Sequence, residues 1–201
     1  MGWARWTAVA GFAFVALYVA AFAMGIEVGK SDREILDYYA DSGHRTREVV
    51  AYFIIVAAAL SFMVFSLGLR ALIAKREETG SLAALALIGG AVSGTLILAG
   101  NALARATAFS AMDDEFQLEP NTRRLFENAG FLLFATAGMA AILLVVAVSL
   151  AAFRYATVPR WVGWVGLVCA ALLPLSIAFI GFLVLALWVI LVGGVLVARR
   201  E

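Results

Sequence analysis

The sequence predicts an all-α fold: a polytopic membrane bundle of six transmembrane helices, the last two a short hairpin, with an amphipathic helix on the outer surface. Three observations carry this expectation. Of 201 residues, 64% are hydrophobic and 14% charged, against about 45–50% and about 25% in an ordinary soluble domain. A globule of this length cannot hide so much apolar surface. The uncharged residues fall in runs, Trp6–Ile26, Val49–Leu69, Thr79–Ala104, Asn128–Phe153 and Trp161–Ala198, of 21, 21, 26, 26 and 38 residues, where about 20 suffice to cross the hydrocarbon. The polar residues gather in two segments, Glu27–Glu48 and Arg105–Glu127. Residues 1–201 therefore read as a single integral membrane domain, and soluble-enzyme, fibrous and disordered classes are excluded.

The first run ends near Ala21-Phe22-Ala23, which resembles a signal-peptide cleavage site, but its 17 apolar residues from Thr7 to Ala23 are long for such a segment. A retained helix is expected, with Gly11, Tyr18, Phe22, Gly25 and Gly29 as its packing face. Next, Ser31-Asp32-Arg33-Glu34 forms a capping box, with Ile35, Leu36 and Tyr39 on one face of a short amphipathic helix and Gly43 as its stop. In the second polar segment Asp113-Asp114-Glu115 is an acidic cluster, and Pro120-Asn121-Thr122 opens the helix that becomes the fourth span. The two polar segments are expected to fold over the bundle end as a lid on the bend in the last run; two solvated loops are the alternative.

Spans three and four supply the candidate binding residues. At about 100° per residue, Gly90, Gly94, Asn101 and Arg105 share one stripe, and Glu127, Gly130, Gly138, Ala141 and Ser149 another. Small residues let membrane helices approach, and polar ones bond across the contact. If the two spans pair along these stripes, Arg105 meets Glu127, with Asn101 and Asn128 in the same cluster. This outer-mouth set is the candidate ligand-binding site; separate snorkelling of both charges into water is the alternative. The glycine-rich faces suit packing within the chain or between copies of it.

The last run would make a helix of about 57 Å at about 1.5 Å per residue, too long for one crossing. Pro174 and Gly181 divide it into helices of about Trp161–Leu173 and Gly181–Ala198 joined by a tight apolar turn, with one kinked helix as the alternative. Six spans with both termini inside put eight basic and three acidic residues on the inner side, against seven and eleven outside. Trp3, Trp6, Trp161 and Trp164 then fall at the inner boundary as an aromatic belt. The expected location is the cell inner (plasma) membrane, with cytoplasmic N- and C-termini.

Little in the sequence points to chemistry. No metalloprotease, nucleophile-elbow, phosphate-loop or dinucleotide motif occurs, so no catalytic residue, cofactor or metal is assigned. The net charge of +1 offers no field for nucleic acid. The one histidine, His44, has Glu48 four residues on, but two ligands flanked by Arg45 and Arg47 make a poor metal site. Cys169 lies in an apolar run and reads as a small core residue. The spans carry hydroxyls instead of the buried charges of a coupled transporter.

The element Val158-Pro159-Arg160-Trp161-Val162-Gly163-Trp164-Val165-Gly166 resembles the start of the fifth helix in a widespread bacterial family of multi-pass membrane proteins (a domain of unknown function). Asp37-Tyr38-Tyr39-Ala40-Asp41-Ser42-Gly43 is similar to that family's first outer segment. The resemblance implies about six helices and no particular activity. Read physically, Pro159, Arg160, Trp161 and Trp164 form a membrane-interface anchor: a helix start, a headgroup cation and two interfacial indoles. The favoured role is non-enzymatic binding of a lipid, apolar ligand or membrane partner near the extracytoplasmic face. A permease for a small neutral solute, or an outer-face enzyme using His44 and the acidic residues, are the alternatives.

Overall fold

In a computed structural model of the protein, residues 2–24, 31–113 and 115–198 are described. Among them every regular element is helical: α1 (Trp3–Ala23), α2 (Asp32–Ala40), α3 (Ser42–Ala74), α4 (Ser81–Ser110), α5 (Pro120–Tyr155), α6 (Arg160–Leu172), a 3-10 turn (Leu173–Ala178) and α7 (Ile180–Ala198). Six segments are long and apolar enough to cross a membrane, α6 being counted with the turn that follows it.

The spans close into a ring in the order α1, α3, α4, α5, α6, α7 and back to α1. Tyr18 meets Phe182, and a Cβ on Gly11 would press on Phe65 and Val189, so α1 and α7 run antiparallel. The start of α1 and the end of α7 therefore share one end of the bundle, and α2 lies at the other. Inside the ring sit fully buried Phe62, Phe65, Leu144, Val145 and Trp188. Buried hydroxyls bond to carbonyls: Ser66 to Phe62 and Ser149 to Val145 on their own helices, Ser93 to Ala137 across the α4–α5 seam, each at 2.8 Å. This is how membrane helices satisfy polar groups that lipid cannot.

The helices overrun their uncharged stretches because each polar flank has its own start signal. Asp41 caps α3, accepting from the Gly43 amide at 2.6 Å and the His44 amide at 3.3 Å. Helix α3 thus begins at Ser42, and Gly43, expected to stop α2, lies in the first turn of α3. Pro120 starts α5 eight residues before Asn128. At the opposite end, Glu77 accepts from the Leu82 and Ala83 amides at 2.8 and 2.9 Å, while Arg76 donates to the Tyr155 and Ala156 carbonyls at 3.1 Å. One short loop thus places an anion on the positive end of α4 and a cation on the negative end of α5, as the helix dipoles favour. Burial raises the Glu77 carboxyl's pKa, but the two amides and the Ser81 and Thr79 hydroxyls outweigh it and hold the group below its ordinary value.

The small-residue stripes do not pair as the sequence suggests. The α4 stripe faces α3: a Cβ on Gly90 would collide with Ser66, and one on Gly94 would lie 2.6 Å from Met63. The neighbouring face of α4 meets α5, where a Cβ on Gly100 would stand 2.8 Å from the Gly130 carbonyl oxygen. The α5 stripe is itself divided, Gly130 toward α4, Gly138 toward Ser176 of the 3-10 turn, and Ser149 toward Gly166 of α6. On α1, Gly11 and Tyr18 pack inward, Phe22 is 72% exposed, and Gly25 and Gly29 lie outside the described residues. Gly11 and the stripe glycines of α4 and α5 meet neighbours within the chain.

The hairpin forms where Pro174 and Gly181 place it, but among the described residues no lid covers it. Helix α2 packs on α3, the end of α4 and α5. The bend packs instead on α5, α6 and α7, and Leu175, Ile177 and Phe179 remain exposed. Its backbone is satisfied locally: Ser176 Oγ donates to the Leu173 carbonyl at 2.6 Å, and the Phe179 amide to the Ser176 carbonyl at 3.1 Å. Local bonds of this kind are how a tight 3-10 turn meets the need of backbone groups for partners in lipid. Gly181 is needed here, since a Cβ would stand 2.7 Å from the Leu173 carbonyl oxygen.

Candidate functional site

At the α2 end, four helices bring charged and phenolic side chains together. Glu48 of α3 is fully buried. Tyr39 of α2 donates to Glu48 Oε1 at 3.0 Å and accepts from Arg123 Nε of α5 at 2.6 Å; Arg123 Nη1 donates to Glu127 Oε2 at 2.6 Å. On the other side of Glu48, Arg105 Nη1 of α4 lies 3.4 Å from Oε2. The chain Glu127–Arg123–Tyr39–Glu48–Arg105 alternates charge around one phenol. Burial, followed by the Glu48 carboxylate, raises the Tyr39 pKa well above the ordinary phenol value, so the hydroxyl stays protonated and available to Glu48.

The capping box forms as expected, Glu34 Oε2 accepting from the Ser31 amide at 2.9 Å and Ser31 Oγ from the Glu34 amide at 3.3 Å. It sets Ile35 and Tyr39 facing inward on Ala108 of α4 and leaves Leu36 44% exposed. Arg124 donates to Asp32 at 2.6 Å, tying the start of α2 to α5, and Arg45 donates to the Ala111 carbonyl, tying the start of α3 to the end of α4. His44 is exposed and stacks on Tyr38 with 4.4 Å between ring centres. Since Glu48 turns inward to Tyr39 and Arg105, the pair does not form a two-ligand metal site. Among the described residues no group of three His, Cys, Asp or Glu is placed to hold a metal ion.

The expected Arg105–Glu127 pair does not form. Arg105 lies on the α4 face toward α3, where Glu48 waits, and Glu127, 56% exposed, pairs with Arg123 one turn before it on its own helix. Asn101 follows Arg105 onto the α3 seam, fully buried, and donates to the Tyr52 carbonyl at 3.0 Å. Asn128 is exposed. Of the four residues proposed for the outer-mouth cluster, Arg105 lines an aromatic cavity. At the opposite end Pro159 caps α6, and Arg160, Trp161 and Trp164 are exposed around its first turns, joined by exposed Trp3 and Trp6.

That cavity, of about 170 Å³, lies beneath the polar chain and is lined by Tyr18, Ala21, Phe22, Ile55, Arg105, Phe131, Phe134, Phe179 and Phe182. Phe131 and Phe179 stand 4.9 Å apart and Tyr18 and Phe182 6.1 Å apart between ring centres. Phe179 reaches its place from a left-handed backbone (φ 62°) between the 3-10 turn and α7, a conformation costly for a bulky residue. Tyr18, Phe22, Phe179 and Phe182 also line an adjoining groove of about 260 Å³, which continues past Val19, Leu183 and Ala186 along the α1–α7 seam. Exposed Phe22, Phe179 and Leu183 open it sideways.

The site residues missed from sequence are Tyr39, Glu48 and the aromatic wall. Glu48 carried a signal, since it heads a seven-residue spacing with Ile55, Phe62 and Leu69, all of which are buried. Of the aromatic wall, Tyr18 and Phe22 stand on the packing face read on the first span, whereas Phe131, Phe134, Phe179 and Phe182 carried no signal, being phenylalanines among many in uncharged runs.

The fold and this cavity together define a multi-pass helical-bundle membrane protein with a side-opening aromatic chamber headed by one arginine. No family model, no curated protein and no solved structure matches the chain.

Proposed function

We propose that the protein is a non-enzymatic membrane protein that takes an amphipathic ligand sideways from the bilayer into the chamber at its α2 end. One observation carries this reading: a half-open aromatic cavity with a single charged group in its lining runs into an apolar groove that opens sideways from the bundle. Concave apolar sites with a few convergent polar groups are the usual form of small-molecule sites. A permease needs a polar path through the ring, whereas the central positions are Phe62, Phe65, Leu144, Val145 and Trp188. The excess of acidic residues at the α2 end and the short basic loops at the other support an extracytoplasmic chamber with both chain ends in the cytoplasm. The Pro159–Trp164 element supports membership of the multi-pass bacterial family that it resembles.

Native mass spectrometry of gently extracted protein tests the binding. Wild type retains a co-purifying amphiphile, and Ala21→Phe, which fills the chamber from α1, loses it while keeping its thermal stability. Equal retention by the two proteins refutes the chamber as the site.

A further inference from the structure

Resting on the reading above, we infer that the ligand's head is a single compact anion, a carboxylate at the end of one alkyl chain, held by Arg105. The guanidinium offers five N–H donors in a fixed fork. Among the described residues its ion-pair partner is Glu48, and at 3.4 Å that contact is an ion pair without a short hydrogen bond. Arg105 Nε is buried with no acceptor among the described residues, and Glu48 Oε2 has no donor. Glu48 meanwhile directs its other oxygen to Tyr39. The side chain of Arg105 is 17% exposed and forms part of the chamber wall. A guanidinium lining an aromatic cavity is a group suited to pairing with a carboxylate.

The dimensions select among anions. The chamber is about 170 Å³, close to the ~150 Å³ that accepts one benzene ring, so it holds a carboxylate and the first few methylenes but no glycerol-phosphate with two chains. One cation in the wall matches one negative charge. From Phe179 to Ala186 the groove descends about 10 Å along α7 at about 1.5 Å per residue, away from the polar chain and toward the bundle's middle. A single alkyl chain lying there keeps its head at Arg105.

The test uses the whole protein in nanodiscs, with doxyl-labelled stearic acid and its methyl ester as probes, reading the immobilised fraction by electron paramagnetic resonance. The acid is expected to associate about tenfold more strongly than the ester, the scale of a charge-assisted hydrogen-bonded pair. In Arg105→Gln that preference falls to unity while ester binding is unchanged. Because Arg105→Gln strands Glu48 in the interior, the double variant Glu48→Gln/Arg105→Gln, neutral at both positions, is measured beside it and is expected to lose the preference equally. Acid and ester binding alike to wild type, with the chamber-filling Ala21→Phe abolishing both, overturns the anionic head and leaves the chamber standing. Failure of both probes to be immobilised overturns the chamber itself.

Discussion

Replacing Tyr39 by Phe removes one hydroxyl that serves two charged groups at once. It donates to buried Glu48 at 3.0 Å and accepts from Arg123 Nε at 2.6 Å. Hydrogen bonds to charged groups contribute about 1.5–3 kcal/mol each, so the lower end for both gives about 3 kcal/mol lost from the docked state of α2. The ring stays, so the contact with Ala108 and the Arg123 guanidinium 5.8 Å above its centre are kept. The other polar ties of α2, Arg124 to Asp32 and the 3.3 Å contact of His44 Nδ1 with the Tyr38 carbonyl, involve exposed or partly exposed groups and contribute less than about 1 kcal/mol each. Undocking lets water reach Glu48, so the loss falls on the closed state. A 3 kcal/mol change multiplies the open population by about 150. Hydrogen exchange followed by mass spectrometry on the 31–41 segment reads that population directly. Amides of α2 exchanging about a hundredfold faster, with α4 and α5 unchanged, is the expected result. A change below about threefold refutes the idea that Tyr39 is the latch.

Glu48→Gln is expected to lower stability by about 3 kcal/mol, because removing one member of a buried pair strands the other, whereas Glu127→Gln stays within about 0.5 kcal/mol; thermal unfolding in detergent separates them. Glu77→Ala uncovers two amides at the start of α4 and is expected to cost about 1–2 kcal/mol, on the scale of a lost helix cap, read as a lower Tm. Gly100→Ala drives a methyl against the Gly130 carbonyl and is expected to cost about 1–3 kcal/mol by overpacking, with Gly194→Ala, which meets open space, as the neutral control. For pH, burial and then Glu48 raise the Tyr39 pKa above its unfolded value, and burial, again with Glu48, pushes Tyr38 up to about 12. A raised phenol stabilises the docked state fully below the unfolded pKa of about 10 and loses that contribution as pH climbs toward the folded value. The protection of the α2 amides, taken relative to the base-catalysed exchange of a free peptide at the same pH, is therefore constant from neutral pH to about 9 and falls above about 10.

What the sequence made legible follows from how far each physical signal reaches. Uncharged runs report the cost of burying charge in hydrocarbon, a property of each segment by itself, so all six spans and the break at Pro174–Gly181 were predicted. The capping box is equally local, involving residues three apart, and Ser31 and Glu34 form it as written. Partner choice is different, because it depends on which face of a helix meets which neighbour. Gly90, Gly94, Asn101 and Arg105 do share a stripe, but Gly89 and Gly100 beside it supply a second smooth face, and periodicity cannot say which goes to α3 and which to α5. The structure gives Gly100 to Gly130, where two backbones approach closely, and the rotation that permits this turns Arg105 away from Glu127 toward Glu48. With the arginine so placed, its ion pair and the aromatic chamber become one site, since Ile55, one heptad after Glu48, lines the same wall. The exposed bend teaches the same distinction. A lid seemed necessary because bare amides cannot face lipid, yet the 3-10 bonds and the Ser176 hydroxyl satisfy them within six residues. This freed α2 to sit instead on Glu48 and Arg123, above the chamber.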